Sequence, residues 1–169
     1  MITNPDTTLP LVLLDVDGVI NDLHAAVGLE RPWPHHRIEL GEATICIPLF
    51  VPPLLQYLDL ISEIQWCTTW GDLANQVLAE VLEIGPYPVI GADADHTDHK
   101  WKARAARPLA VEAIETGRRV YWIEDFENEP PTDLMPPDVT YIDTAARGEY
   151  VLLPQHLPPE LLPEGLRDI

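Results

Sequence analysis

The chain has 169 residues and a mass of 19.0 kDa, the size of one domain, and 46% of its residues are hydrophobic, enough for a core without staples. A net charge of -18 and a pI near 4.4 exclude broad, nonspecific nucleic-acid binding, which runs on phosphate neutralisation. No stretch approaches the ~20 apolar residues of a membrane span, and Met1–Pro10 lacks the basic and apolar regions of a secretory leader, so the expected location is cytoplasmic.

In chain order, LVLLDV (residues 11–16) is a continuous apolar run ending in acid and Gly, as a central strand buried on both faces does. Residues 36–47 predict two short strands joined at Gly41, a hairpin. Pro52–Leu60 has helical apolar spacing with Pro at its start. Ile64–Thr68 predicts a second buried strand. Asp72–Ile84 predicts a helix with Leu73, Val77, Leu78, Val81 and Leu82 on one stripe and Gly85 as its stop. Pro88–Ile90 is a short third strand, and Lys100–Thr116 a helix expected to break before Pro108. Arg119–Ile123 and Val139–Ile142 are further strands, ending in Glu124-Asp125 and Asp143. Strands alternating with helices predict an α/β fold with a parallel sheet and ligands at the strands' carboxyl ends.

Cys46 and Cys67 each sit in an apolar run and form no disulfide or metal framework. Lys100, Lys102, Arg104 and Arg107 cluster, and Arg31 and Arg37 flank Trp33, His35 and His36. Local basic spots on an acidic body suit a small anionic ligand or a nucleic-acid end.

Asp15-Val16-Asp17-Gly18-Val19 is the main chemical signal. Two carboxylates at i and i+2 after a buried strand point the same way. Phosphoryl transfer through an enzyme carboxylate needs such a pair: one Asp attacks phosphorus, and the other protonates the leaving oxygen and then activates water. The competing account is a strand-to-loop junction with two solvated aspartates. An EF-hand calcium loop would need acidic positions after Gly18 that are absent.

LLDVDGVIND resembles the first motif of the haloacid dehalogenase (HAD) superfamily, an apolar strand followed by D-x-D-x-[TV]. The resemblance extends in order over residues 11–125. QWCTTW supplies Thr68, with Thr69 as the alternative, for the hydroxyl that ends the second strand. Lys102, or Lys100, fits the helix-borne lysine, and VYWIED supplies Glu124 and Asp125 for the acidic pair. That pair is often Asp-Asp, so the direct metal bond falls to Asp125 and a supporting role to Glu124.

The resemblance implies a Mg²⁺-dependent phosphomonoester hydrolase working through an aspartyl-phosphate, with Asp15, Asp17, Thr68 and Lys102 catalytic. The ion would be held by Asp15, the Asp17 carbonyl and Asp125 with Glu124 behind. The implied fold is one HAD-like domain over residues 1–169: a three-layer Rossmann-like sheet of about five strands. Residues 22–60 would form a β-hairpin flap and minimal cap, since neither 18–67 nor 69–101 has room for a large one.

Trp33, His36, Arg37 and Thr69 are the expected substrate contacts, and the expected substrate is a small phosphorylated molecule, a nucleotide or a nucleic-acid terminus. Asp93, Asp95, His96, Asp98 and His99 offer transition-metal ligands, against the plainer reading of a solvated loop. The stretch after Asp143 carries no catalytic signature. The alternatives are a non-catalytic HAD-like phosphate- or nucleotide-binding module, or a phosphotransferase or end-healing phosphatase working with separate repair proteins. The substrate and the oligomeric state are left open.

Overall fold

In the computed structural model, which describes residues 9–126 and 129–166, the apolar run at Leu11–Leu14 forms β1, and every residue in it is buried. β1 lies between β4 (Glu63–Trp66) and β5 (Val120–Glu124), and β5 pairs with β6 (Val139–Asp143). All pairings are parallel, in the order β4-β1-β5-β6. Residues 1–8, on which the leader reading rests, lie outside the described residues.

Alternation along β1 divides the core. Val12 and Leu14 face the cluster that takes Leu54, Leu55 and Leu58 of α2 (Val51–Ile61) and Ala74, Leu78 and Leu82 of α3 (Leu73–Leu82). Leu11 and Leu13 face a second cluster with Ala103, Ala106, Ala110 and Ala113 of α4 (Trp101–Glu115). Each large aliphatic side chain so buried contributes roughly 1.5–3 kcal/mol. Trp66 is fully buried and satisfies its indole N–H on Asn75 Oδ1 at 2.8 Å.

Between β1 and α2 come the short helix α1 (Leu23–Ala26) and an antiparallel hairpin of β2 (His35–Leu40) and β3 (Ala43–Pro48). Gly41 takes φ 64° at the first position of its two-residue turn, which only glycine adopts without strain. Ile45 and Ile47 of β3 lie in the main cluster, so the hairpin is packed on the body of the protein.

Three sequence expectations are corrected. Among the described residues the sheet has four strands, not about five: Pro88–Ile90 makes a single parallel bridge, Trp66 to Val89, outside β4. Pro86 and Pro88 lack the N–H donors that a longer ladder needs. Helix α4 does not break at Pro108. Pro108 and Arg104 both lie on its exposed face, so the carbonyl that loses its partner faces solvent, while the alanine face keeps the helix on the sheet. Helix α3 stops at Glu83, which takes φ 55°, before Gly85 is reached.

Among the described residues, no helix is long and apolar enough to cross a membrane.

Candidate active site

The carboxyl ends of β1 and β5 lie side by side, and each delivers acid. Asp15 follows β1, Glu124 ends β5, and Asp125 follows it. Lys102, on the first turn of α4, reaches between them: its Nζ lies 2.9 Å from Asp15 Oδ2 and 2.6 Å from Glu124 Oε1. Glu124 Oε2 accepts from Trp122 Nε1 at 3.2 Å. Burial acts to lower the Lys102 pKa, but the Asp15 and Glu124 carboxylates outweigh it and hold the ammonium charged. Burial and the adjacent Asp15 push the Glu124 carboxyl well above the usual range, with Lys102 opposing.

Asp15, Glu124 and Asp125 each offer an oxygen, and these oxygens lie within 4.8 Å of one another. Among the described residues this is the group that can hold a metal ion. An all-oxygen set suits a hard divalent cation such as Mg²⁺. Gly18 adapts the backbone to it: at φ 70° its α-carbon passes so close to Asp125 that a Cβ would land on the carboxylate.

Asp17 stands across from this group with both oxygens engaged. Oδ1 accepts from Asn21 Nδ2 and Oδ2 from Trp70 Nε1, each at 2.9 Å. Asn21 is buried, and its Oδ1 accepts the Cys46 N–H at 2.9 Å, which ties β3 to the Asp17 loop. From the carboxyl end of the edge strand β6, Thr144 donates to the Gly18 carbonyl at 2.6 Å, and Asp143 Oδ1 accepts the N–H groups of Phe126 and Ala145.

These residues open onto a cleft of about 830 Å³. Asp15, Asp17, Lys102, Glu124 and Asp125 form its floor, and one wall comes from His99 and Lys100 with Phe126 and residues 129–133. Carboxylates outnumber lysines on this lining, so an anionic ligand needs a cation with it.

The sequence-predicted residues divide accordingly. Asp15, Asp17, Lys102, Glu124 and Asp125 are brought together. Lys102 is the lysine that reaches Asp15, whereas Lys100 pairs with Asp133 at 2.9 Å. Thr68 is buried after β4 and accepts the Trp70 N–H at 3.3 Å, and Thr69 is exposed; neither lines the cleft.

Trp33, His36 and Arg37 are also absent from the lining. Trp33 belongs to a cluster around the fully buried Asp22, whose Oδ2 accepts from Arg31 Nε (2.9 Å) and Trp33 Nε1 (3.0 Å), with His35 Nε2 at 3.1 Å. The Arg31 guanidinium covers one face of the Trp33 ring. His36 and Arg37 lie exposed on β2. The 93–99 stretch is largely exposed, with His96 stacked on the Trp101 ring at 4.2 Å, and contributes no residue to the metal-capable carboxylate group. Cys46 and Cys67 are buried and unpaired.

Sequence reasoning did not find Asn21, Trp70 or Thr144. Asn21 alone had a local signal, lying one turn beyond Asp17 in the same loop.

Fold and site together define an α/β protein with a carboxylate-lysine group at the carboxyl ends of its two central strands. Compared with known proteins, the chain matches no family, no curated protein and no solved structure.

Proposed function

We propose that the protein is a Mg²⁺-dependent phosphomonoester hydrolase of the HAD type, in which Asp15 is the nucleophile and Asp17 the acid/base. The three-layer, Rossmann-like description of the sheet with a hairpin flap goes with this reading. The observation that carries it is Lys102 Nζ lying 2.9 Å from Asp15 and 2.6 Å from Glu124. A buried ammonium against the nucleophile neutralises an incoming phosphoryl group, and a structural ion pair would have no need of the cleft or of a second Asp across from it.

In the reading, an Asp15 oxygen attacks phosphorus as the bond to the leaving oxygen breaks. Protonated Asp17 gives its proton to that oxygen, and the alcohol departs. The Asp17 carboxylate then takes a proton from the water that attacks phosphorus, the bond to Asp15 breaks, and phosphate leaves. Asp15, Asp125 and the supporting Glu124 would hold the Mg²⁺, whose charge offsets that of the phosphoryl oxygens.

The cleft is of the size that takes a small metabolite, and a nucleoside monophosphate fits that class. Glu129 and Asp133 on the wall disfavour a second phosphate, so monophosphates should be preferred to di- and triphosphates. Of the aromatic rings on the lining, Trp101 and Trp122 are buried, so stacking on a base falls to Phe126 or His99 on the wall, with Trp33 outside the cleft. The test is phosphate release from p-nitrophenyl phosphate, nucleoside mono- and diphosphates, hexose phosphates and phosphorylated oligonucleotide ends, with Mg²⁺ or EDTA. Release from none of them with Mg²⁺, by folded protein, would refute the reading in favour of a binding module.

A further inference from the structure

The Asp17 carboxylate does not sit freely in the cleft. Its two oxygens accept from donors on different segments, Asn21 Nδ2 in its own loop and Trp70 Nε1 in the loop after β4, both at 2.9 Å. Neither donor can turn away without loss. The Asn21 amide is 3% exposed, and its oxygen is committed to the Cys46 N–H, so a flip would break two bonds at once. The Trp70 indole has a single N–H to give. Its ring packs against the main core, and its backbone N–H is bound to Thr68 Oγ1. The Gly18 N–H donates to the Asn21 carbonyl at 3.0 Å and closes the short loop that carries both partners.

We infer that Asn21 and Trp70 are positioning residues that lock the rotation of the Asp17 carboxyl group and aim it for proton transfer. The inference rests on the acid/base role proposed for Asp17. A carboxyl oxygen has two acceptor sites, and the two donors take one on each oxygen. The remaining sites are left for the proton that passes to the leaving oxygen and later comes from water. An acid held in this way has no rotational search to make in the transition state, where small errors of placement cost large factors in rate. The bond from Cys46 gives the hairpin a part in the same lock.

A structural role and a positioning role differ in which substrates suffer. Trp70→Phe keeps an aromatic ring against the core and deletes the N–H donor with part of the indole, a packing loss that the Asp17→Asn background controls for, while Asn21→Ala deletes the other donor and the hairpin tie. With Mg²⁺, Trp70→Phe should lower the single-turnover rate of alcohol release from an alkyl phosphate about tenfold, with little change in the half-saturating concentration. It should lower that of p-nitrophenolate release less than about twofold, because that leaving group hardly needs a proton, and water attack, for which Asp17 is the base with either substrate, comes after the step being read. Asn21→Ala should show the same split, more strongly. In an Asp17→Asn background, Trp70→Phe should cost nothing further, since there is no acid left to aim.

Equal losses on both substrates, no loss on either, or the same loss with and without Asp17 would overturn the inference and leave the phosphatase reading standing. A Trp70→Phe protein that does not fold, judged by circular dichroism, would assign Trp70 to structure and overturn its part. A folded wild type inactive on both substrates would fail the phosphatase reading itself, and the inference with it.

Discussion

Thr144 donates its hydroxyl hydrogen to the carbonyl oxygen of Gly18 across 2.6 Å, which joins the end of β6 to the turn that follows Asp17. Both the hydroxyl and its residue are buried. Replacing Thr144 with Val keeps the shape and leaves the Gly18 carbonyl without this partner. That should cost roughly 1–3 kcal/mol of stability and lower activity, since the turn carries Asp17. Thr144→Ser should restore most of both. Urea denaturation of the two variants checks it, and equal stability of Thr144→Val and wild type would refute it.

Asp15→Asn should retain the fold and lose turnover by several orders of magnitude, because the amide is nearly isosteric and a poor nucleophile. Phosphate release under single-turnover conditions is the measurement. Activity within about tenfold of wild type would remove Asp15 from the nucleophile's role.

Lys102 and Lys100 should separate without any activity assay. Lys102→Met leaves the Asp15 and Glu124 carboxylates facing one another with no cation between them, a loss on the order of 3 kcal/mol in metal-free protein. Lys100→Met removes a pair at the surface and should leave stability unchanged. Chemical denaturation in EDTA compares them, and equal effects of the two substitutions would contradict the geometry.

Mg²⁺ should raise the thermal midpoint, by a free energy of about 2.7 kcal/mol at one hundred times its Kd. Asp125→Asn and Gly18→Ala should both remove the shift, the first by taking a ligand away and the second by pushing a methyl group onto it. Ca²⁺ should also stabilise but support little turnover, since its larger size disturbs the attack geometry. Thermal melts with each ion decide the matter, and an undiminished Mg²⁺ shift in Asp125→Asn would count against the site.

Asp22 should govern part of the acid limb of stability. Burial acts to raise its pKa, but the Ala25 N–H, His35, Trp33 and Arg31 together bring it below the ordinary 3.8. The unfolded chain therefore takes up a proton at Asp22 before the folded protein does. Its stabilising effect is complete above 3.8 and is lost as the pH falls through the lower folded value. In Asp22→Asn, stability from urea titrations should fall less steeply over that range than in wild type. Parallel slopes would exclude Asp22 as a source.

The parts of the site that the sequence displays are those in which each residue stands on its own element with a local signature. Asp15 and Asp17 end an apolar strand, Glu124 and Asp125 end another, and Lys102 opens a helix, and that they share one site was implied by the resemblance of their motifs and order to a known family. The hairpin around Gly41 was legible because alternation and turn are adjacent in sequence. What was hidden depends on partners far along the chain. Nothing around Trp70 says that its indole N–H meets Asp17, 53 residues away, and nothing around Thr144 points to Gly18, 126 residues away. Local rules misled where packing outweighs them: an alanine face carries α4 through Pro108, and prolines at 86 and 88 cut a third strand down to a bridge. Trp33 with its basic neighbours resembled a ligand contact, but the buried Asp22 carboxylate explains that composition without one.

The cleft's wall and its reacting groups belong to different stretches of chain. The residues from 129 to 133 line the opening but contribute nothing to the carboxylate-lysine floor, and Asp143 pins Phe126 from β6, which is not one of the two central strands. In evolutionary terms, residues 129–133 can vary while the floor stays in place, and exchanging that stretch, short of the buried Met135, is the way to change what the cleft admits.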